Sequence, residues 1–378
     1  MNTPVRYALV GGGPGSFIGG VHRMAAGLEG RFTLVAGAFS RDRSLSAERG
    51  SSWGVDPNRV HTDHRELFAA EAARPDGIEA VAIATPNDSH FALVSDALAA
   101  GLHVICDKPM TATLEQALAL ASLVRASRKV FALTYTYAGY AMIRDARARV
   151  QTGEIGRVRK VVVEYPQGWL SQSGDAETRQ ASWRTDPARA GIGGCLGDIG
   201  VHAFQLVEYV SGLRAETLCA DLARVVSGRR LDDDCNVLMR LVGNVPCVIT
   251  ASQIATGERN GLSLRVYGDH ASLVWRHDAP GELRILHSDA SERIIYAGSA
   301  AMTPGAAATC RLPSGHPEGF IEAFATLYRD FADAIRGDHA RVNSDLPGIS
   351  DGLRSLVFAA TAIASHDARC WIPLKENE

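Results

Sequence analysis

Short apolar runs alternate with stretches of helical spacing through the first third of the chain. Arg6 to Val10 is an apolar run stopped by Gly11-Gly12-Gly13-Pro14-Gly15, after which Ile18 to Leu28 repeats apolar positions at three and four residues. That pattern predicts a strand, a tight glycine turn and a helix. Phe32 to Phe39 and Glu79 to Ala84 are further runs of strand length, with a helix-like stretch from Arg65 to Ala73 between them, and His103 to Cys106 is another strand. Helices are predicted at about Ser89 to Ala100, closed by Gly101, and at Thr113 to Ala126, capped near Thr111. Strands alternating with helices imply a doubly wound parallel sheet.

Beyond Ala132 the texture changes. Arg157 to Tyr165, Ala215 to Val226, Asn236 to Val242, Val245 to Gln253 and Leu262 to Tyr267 read as successive strands, which suggests a mostly antiparallel sheet. Residues 297–309, rich in Gly, Ser and Ala, read as a mobile loop, and helical spacing returns at Phe320 to Ile335 and Ile349 to Ser365. The expected architecture is therefore α/β: a Rossmann-type domain over 1–132, then an α+β domain with a large, mostly antiparallel open sheet over 133–378.

Length and composition fit this division, since 378 residues with 46% hydrophobic content can bury two cores. A net charge of -3 gives no basic footprint for nucleic acid or an anionic membrane, which leaves a small molecule as the expected partner. No run of apolar residues is long enough for a spanning helix and the start carries no signal-peptide pattern, so a cytoplasmic location is expected. The 7 cysteines include no Cys-x-x-Cys pair, which points to reduced thiols and to no metal site.

The first chemical signal is the glycine turn, because a strand ending in Gly-x-Gly before a helix lets backbone amides approach a pyrophosphate. Such turns also form for steric reasons alone. The usual spacing is altered: Ser16 stands where the third glycine belongs, and Gly19 follows three residues later. After the second strand, where an acid would hold an adenosine ribose, the chain reads Ala38-Phe39-Ser40-Arg41-Asp42. Ser40 and Arg41 suit a 2′-phosphate, so NADP is admissible beside NAD; the plainer reading is a turn led by Asp42. Thr85-Pro86-Asn87-Asp88-Ser89-His90 ends a third strand, where a ligand crevice or a helix cap is equally explained.

Asp107-Lys108-Pro109, one helix after Thr85-Pro86-Asn87, resembles the acid-Lys-Pro motif of the Gfo/Idh/MocA oxidoreductases. The resemblance continues through His22, Ala100-Gly101-Leu102-His103-Val104, Gly153-Glu154-Ile155-Gly156, Trp183-Arg184 and Gly193-Gly194-Cys195-Leu196-Gly197-Asp198-Ile199-Gly200-Val201-His202. Within the family, the opening Gly-Gly-Gly-Pro-Gly and Tyr165-Pro166-Gln167-Gly168-Trp169 are similar to inositol (scyllo-inositol) and sugar dehydrogenases. Departures are Ser16 for the third glycine, Asp107 for the usual glutamate, and the missing acid after the second strand.

The resemblance implies hydride transfer between a secondary alcohol of a cyclic polyol or sugar and NAD, with NADP as the alternative. It implies cofactor contacts from Gly11, Gly13, Ser16, Phe17, Ile18, Ser40, Arg41, Thr85, Pro86, Asn87, His90, Asp107, Lys108, Pro109, Trp183 and Arg184. It also implies that Lys108 stabilises charge on the reacting oxygen, His202 is the acid/base and Asp198 binds or orients. Asp198 and His202 are four apart in what reads as a helix start, which puts them on one face. Taken singly, each has a plainer role as cap, core histidine or solvated lysine. Tyr135, Tyr137, Tyr165, Trp169 and His316 are candidate substrate contacts, and a homodimer or homotetramer is expected from the open sheet. Two further readings stay open: an NAD-dependent redox glycoside hydrolase of the same family, and a non-catalytic nucleotide sensor.

Overall fold

The computed structural model describes residues 3–173, 179–337 and 345–375, and the chain divides into two units, Met1–Thr136 with Phe324–Leu353 and Tyr137–Ala323 with Arg354–Glu378. In the first unit, β1 (Val5–Gly11), β2 (Phe32–Ala38), β3 (Ala80–Ala84), β4 (His103–Cys106) and β5 (Phe131–Leu133) pair in parallel in the order β2-β1-β3-β4-β5. Every residue of β3 is buried, as a continuous apolar run requires of a strand covered on both faces. From β1 the chain goes outward to β2 and then returns to β3 on the other side, so the winding reverses between β1 and β3. Loops leaving two neighbouring strands diverge at such a point and open a crevice at the strand C-termini.

The connecting helices start on side-chain caps. Ser16 caps α1 (Phe17–Gly27), Asp42 caps α2 (Arg43–Ser52), Asp63 caps α3 (His64–Ala72), and α4 (His90–Ala99) follows a single 3-10 turn. Thr113 caps α5 (Leu114–Ser127) through the Gln116 amide; the expected cap, Thr111, instead donates its hydroxyl to the Thr113 carbonyl at 2.8 Å. Helix α2 was not anticipated, because only Ser46 and Gly50 of it are buried and its apolar spacing is accordingly faint.

The return of the chain completes this unit. The helix Phe320–Ile335 brings Tyr328 and Phe331 against Phe32, the two phenylalanine rings stacked at 5.8 Å, and the Tyr328 hydroxyl lies 2.7 Å from His22 Nδ1. Farther on, the Leu133 amide donates to the Pro347 carbonyl at 2.9 Å. Residues 324–353 thus belong with 1–136, whereas the sequence reading placed everything after 132 in one second domain.

In the second unit α6 (Ala141–Gln151) precedes a nine-stranded sheet formed by β6 (Val158–Pro166), β7 (Ala215–Ala223), β8 (Asp234–Leu241), β9 (Val245–Ser252), β10 (Ser263–Gly268), β11 (Ala271–Arg276), β12 (Glu282–His287), β13 (Glu292–Tyr296) and β14 (Ile372–Pro373). The order is β13-β12-β11-β10-β6-β9-β8-β7-β14, antiparallel throughout except for β6 with β9. Along β8, Cys235, Val237, Met239 and Leu241 point inward and Asn236, Leu238 and Arg240 outward, the period of a sheet with one covered face. The helix Val201–Ser211 lies on β6 and β9.

Residues 297–309 do not form the expected loose loop. A short helix, Pro304–Ala307, sits there with Met302, Ala306 and Thr309 buried. The Ala301 carbonyl accepts from Arg149 at 2.6 Å, and Asp145 accepts both the amide and the hydroxyl of Thr303 at 2.7 and 2.8 Å. Buried side chains of α6 therefore anchor a segment whose own composition is that of a linker. All seven cysteines are free thiols, and no helix among the described residues is long and apolar enough to cross a membrane.

Candidate functional site

Four loops, after β1, β2, β3 and β4, carry the candidate nucleotide residues of the first unit. The β1 turn is shaped by close approach: a Cβ on Gly11 would lie 2.4 Å from the Ala84 carbonyl oxygen, and one on Gly13 would lie 2.9 Å from that of Phe39. Gly19 corrects the reading of the spacing, since its Cβ would fall 2.2 Å from Gly12 Cα. It does the work of the third glycine, letting α1 press against the turn, while Ser16 caps α1 by accepting the Gly19 amide at 3.3 Å. Phe17 stands exposed at the first position of α1 and Ile18 beside it is half-buried. A turn with no side chain in the way, opening onto a helix N-terminus, fits a dinucleotide pyrophosphate.

Beyond β2 the plainer reading holds. The Ser40 hydroxyl accepts the Asp42 amide at 3.1 Å, Asp42 caps α2, and Arg41 points to solvent. Hydrogen bonds from the Ser44 hydroxyl and the Leu45 amide hold the Asp42 carboxyl below the usual range.

The other two loops are tied together by one histidine. His90 is fully buried; its Nδ1 lies 2.8 Å from the Pro109 carbonyl and its Nε2 2.9 Å from that of Thr85. Thr85 and Ser89 share a hydrogen bond of 2.7 Å across the Pro86-Asn87 turn. Asp107 accepts the Lys108 amide at 3.0 Å and the Thr134 hydroxyl at 2.7 Å, and Lys108-Pro109 is a cis peptide. Lys108 is thereby carried on a braced loop at the end of β4, half-buried. Behind these loops burial lowers the His22 pKa to about 4, and Asp107 opposes that shift. Tyr135, expected among the substrate contacts, lies fully buried in this first unit.

In the second unit, Asp198 lies in a π-helical turn, Leu196–Gly200, that runs directly into the helix bearing His202. The expected ordinary helix start is replaced by a wide turn, a geometry frequent at functional sites. Gln253 Nε2 donates to Asp198 Oδ2 at 2.9 Å, and Arg184 Nε stands 3.4 Å from the same oxygen. An amide donor and a guanidinium charge thus face one carboxylate oxygen. Arg184, expected at the cofactor, here stacks on Trp183 at 4.2 Å and reaches the Trp169 ring at 6.0 Å. The turn is held from behind by Asp232, whose carboxylate accepts the Gly194 and Leu196 amides, each at 2.6 Å, while its carbonyl accepts the Cys195 amide at 2.8 Å.

His202 is buried, its ring edge-on to Tyr137 with centroids 5.1 Å apart. The Tyr137 and Tyr165 hydroxyls are in contact, and Trp169 Nε1 donates to Gln167 Oε1 at 2.9 Å. Asn260, His277 and Gln253 join this cluster without having been anticipated. Gln253 follows an apolar strand and Asn260 and His277 lie in loops without a motif, so nothing local marks them; Gln167 was at least part of a recognisable segment. His316 stands exposed on a turn, its Nδ1 3.2 Å from the Pro313 carbonyl.

Comparison with known proteins matches residues 5–135 to the model described as oxidoreductase family, NAD-binding Rossmann fold, and residues 143–274 to that of the GFO/IDH/MocA C-terminal domain. An uncharacterized oxidoreductase, YfiI, of Bacillus subtilis is 32% identical over 99% of this chain and 98% of its own length. A levoglucosan dehydrogenase of Pseudarthrobacter phenanthrenivorans is 26% identical over 98% of each chain. Among solved structures, an inositol dehydrogenase homolog of Azotobacter vinelandii, complexed with NADH and myo-inositol, is 37% identical and superposes with a TM-score of 0.91 over 99% of this chain and 98% of its own.

Proposed function

The chain belongs to the Gfo/Idh/MocA oxidoreductase family, with an NAD-binding Rossmann domain, and from that premise we propose that it oxidises a secondary alcohol of a cyclic polyol or sugar, inositol- or aldose-like. The observation that carries the reading is the Asp198 carboxylate, fixed by Gln253 and Arg184 one turn before the buried His202. The bound nicotinamide supplies the hydride acceptor. His202 takes the hydroxyl proton as hydride leaves carbon, a task suited to imidazole near neutral pH. The Lys108 ammonium, on its braced loop, stabilises the negative charge that develops on that oxygen. Asp198 accepts from a neighbouring hydroxyl and so selects which carbon faces the acceptor. The levoglucosan dehydrogenase, by its name, and the inositol dehydrogenase homolog, solved with NADH and myo-inositol, support a ring polyol as substrate.

The test is NADH formation from myo-inositol, scyllo-inositol, levoglucosan and D-glucose, run with NAD and with NADP. We expect turnover with NAD, and Lys108→Ala and His202→Ala each to lose about a hundredfold or more in kcat. Full activity in both variants would refute the assignment. Sugar released from a glycoside without net NADH would favour redox hydrolysis. We further propose a homodimer or homotetramer through the open sheet, which a monomeric mass in light scattering would overturn.

A further inference from the structure

One donor sets the polarity of the whole cluster around Tyr137 and Tyr165. An indole N–H only donates, so the atom of Gln167 facing Trp169 at 2.9 Å is its oxygen. Gln167 Nε2 is then the atom that meets Asn260 Oδ1 at 2.7 Å and, more weakly, the Tyr165 hydroxyl at 3.4 Å. With Oδ1 used as an acceptor, Asn260 turns Nδ2 toward the Tyr137 hydroxyl at 3.1 Å and toward His277 Nδ1 at 3.2 Å. Neither amide can flip without setting donor against donor.

Each phenol oxygen thus receives an amide N–H, and the two oxygens contact each other. A tyrosine hydroxyl brings one hydrogen. The contact consumes one of the pair's two hydrogens, and one is left over. Among the described residues neither tyrosine has a protein acceptor for it. Burial raises the pKa of both phenols, so both hydrogens are present at neutral pH. The pair lies beside the candidate catalytic residues: the Tyr137 ring meets His202 edge-on at 5.1 Å between centroids, and both phenols feel the Asp198 charge.

We propose that the Tyr137–Tyr165 pair, locked by Asn260 and Gln167, is a specificity-determining donor: it gives one O–H hydrogen bond to a ring hydroxyl or ring-ether oxygen of the bound polyol, away from the carbon being oxidised. This rests on the reading of Asp198 and His202 as facing that polyol. A site built to donate rejects an analogue lacking the acceptor, because a buried O–H is then left unpaired.

Two measurements test it. A ligand-free crystal structure is expected to show an ordered water within about 3 Å of one of the two hydroxyl oxygens, accepting the leftover hydrogen. A protein acceptor in that place overturns the proposal. With whichever polyol of the panel is oxidised, Tyr137→Phe combined with Tyr165→Phe should raise KM about tenfold with kcat little changed. Asn260→Asp should do the same at an unchanged melting temperature, since its carboxylate cannot donate and takes the Tyr137 hydrogen for itself. An unmoved KM in both variants overturns the proposal. If the wild-type protein oxidises none of the polyols, the dehydrogenase reading fails, and the crystal structure alone decides the donor.

Discussion

Adding one methyl group at neighbouring positions of α1 should have opposite results. In Gly19→Ala the new Cβ would lie 2.2 Å from Gly12 Cα, against an ordinary carbon contact of about 3.5–4.0 Å. Both partners are backbone, so no side chain can swing away, and α1 and the glycine turn must part by roughly 1.5 Å. Overpacking of that kind costs about 1–3 kcal/mol. Because the displaced atoms belong to the turn we propose as the pyrophosphate cradle, we assign most of it to NAD binding. About 2 kcal/mol corresponds to a dissociation constant raised about 30-fold. At Gly20 nothing stands within 4 Å of the added Cβ, and the site is an interior helical one. Gly20→Ala should leave NAD binding unchanged and stabilise the chain by up to about 1 kcal/mol through helix propensity. NADH fluorescence titration and thermal melts of the two variants provide the comparison. Wild-type affinity in Gly19→Ala, or equal loss in both variants, would refute the role assigned to the Gly12–Gly19 contact.

Acid stability should report on His22. Burial lowers its pKa from 6.5 to about 4, so between those values the unfolded chain binds a proton that the folded chain does not. Stability is complete above pH 6.5, falls as the pH drops through that window by about 3 kcal/mol in all, and loses nothing more from this group below it. Urea unfolding at pH 7 and pH 4.5 measures the slope, and a His22→Gln variant with an equally steep slope would assign it elsewhere. Asp232→Ala should leave the Gly194 and Leu196 amides without their acceptor and cost about 2–4 kcal/mol, with Asp232→Glu restoring part of it. A melting temperature within error of wild type in Asp232→Ala would show that the turn is held by other means.

Elements with strong periodicity were legible in the sequence. His103–Cys106 and Phe320–Ile335 occupy the expected spans because each has a wholly apolar run or a full apolar stripe. The elements that were missed include α6, β11 and β12, which do carry buried apolar positions, and three others that had little local signal. The three residues of β5 are too few to show a period, α2 is polar on nearly every side, and β13 buries only Ile295. The 297–309 segment was misjudged because its order is imposed by Asp145 and Arg149, more than a hundred residues away in sequence. The loops bearing Lys108 and the Asp198 turn could be found from motifs. Their braces, His90 to Pro109, Asp107 to Thr134, Asp232 to Gly194 and Gln253 to Asp198, join residues far apart in the chain and follow only from the fold.

The return of Phe324–Leu353 to the first unit sets an order of events during synthesis. When Thr136 leaves the ribosome, all five parallel strands exist, yet the aromatic residues that cover Phe32 and the partner of the buried His22 have not been made. Roughly two hundred residues must follow, a wait of roughly 10–40 s at ordinary elongation rates. The nucleotide-binding half is therefore begun first but not completed until most of the second unit has been made. Until then its apolar surface around Tyr7 and Phe32 is open to chaperones, and a fragment ending at Thr136 carries the glycine turn without the core that supports it.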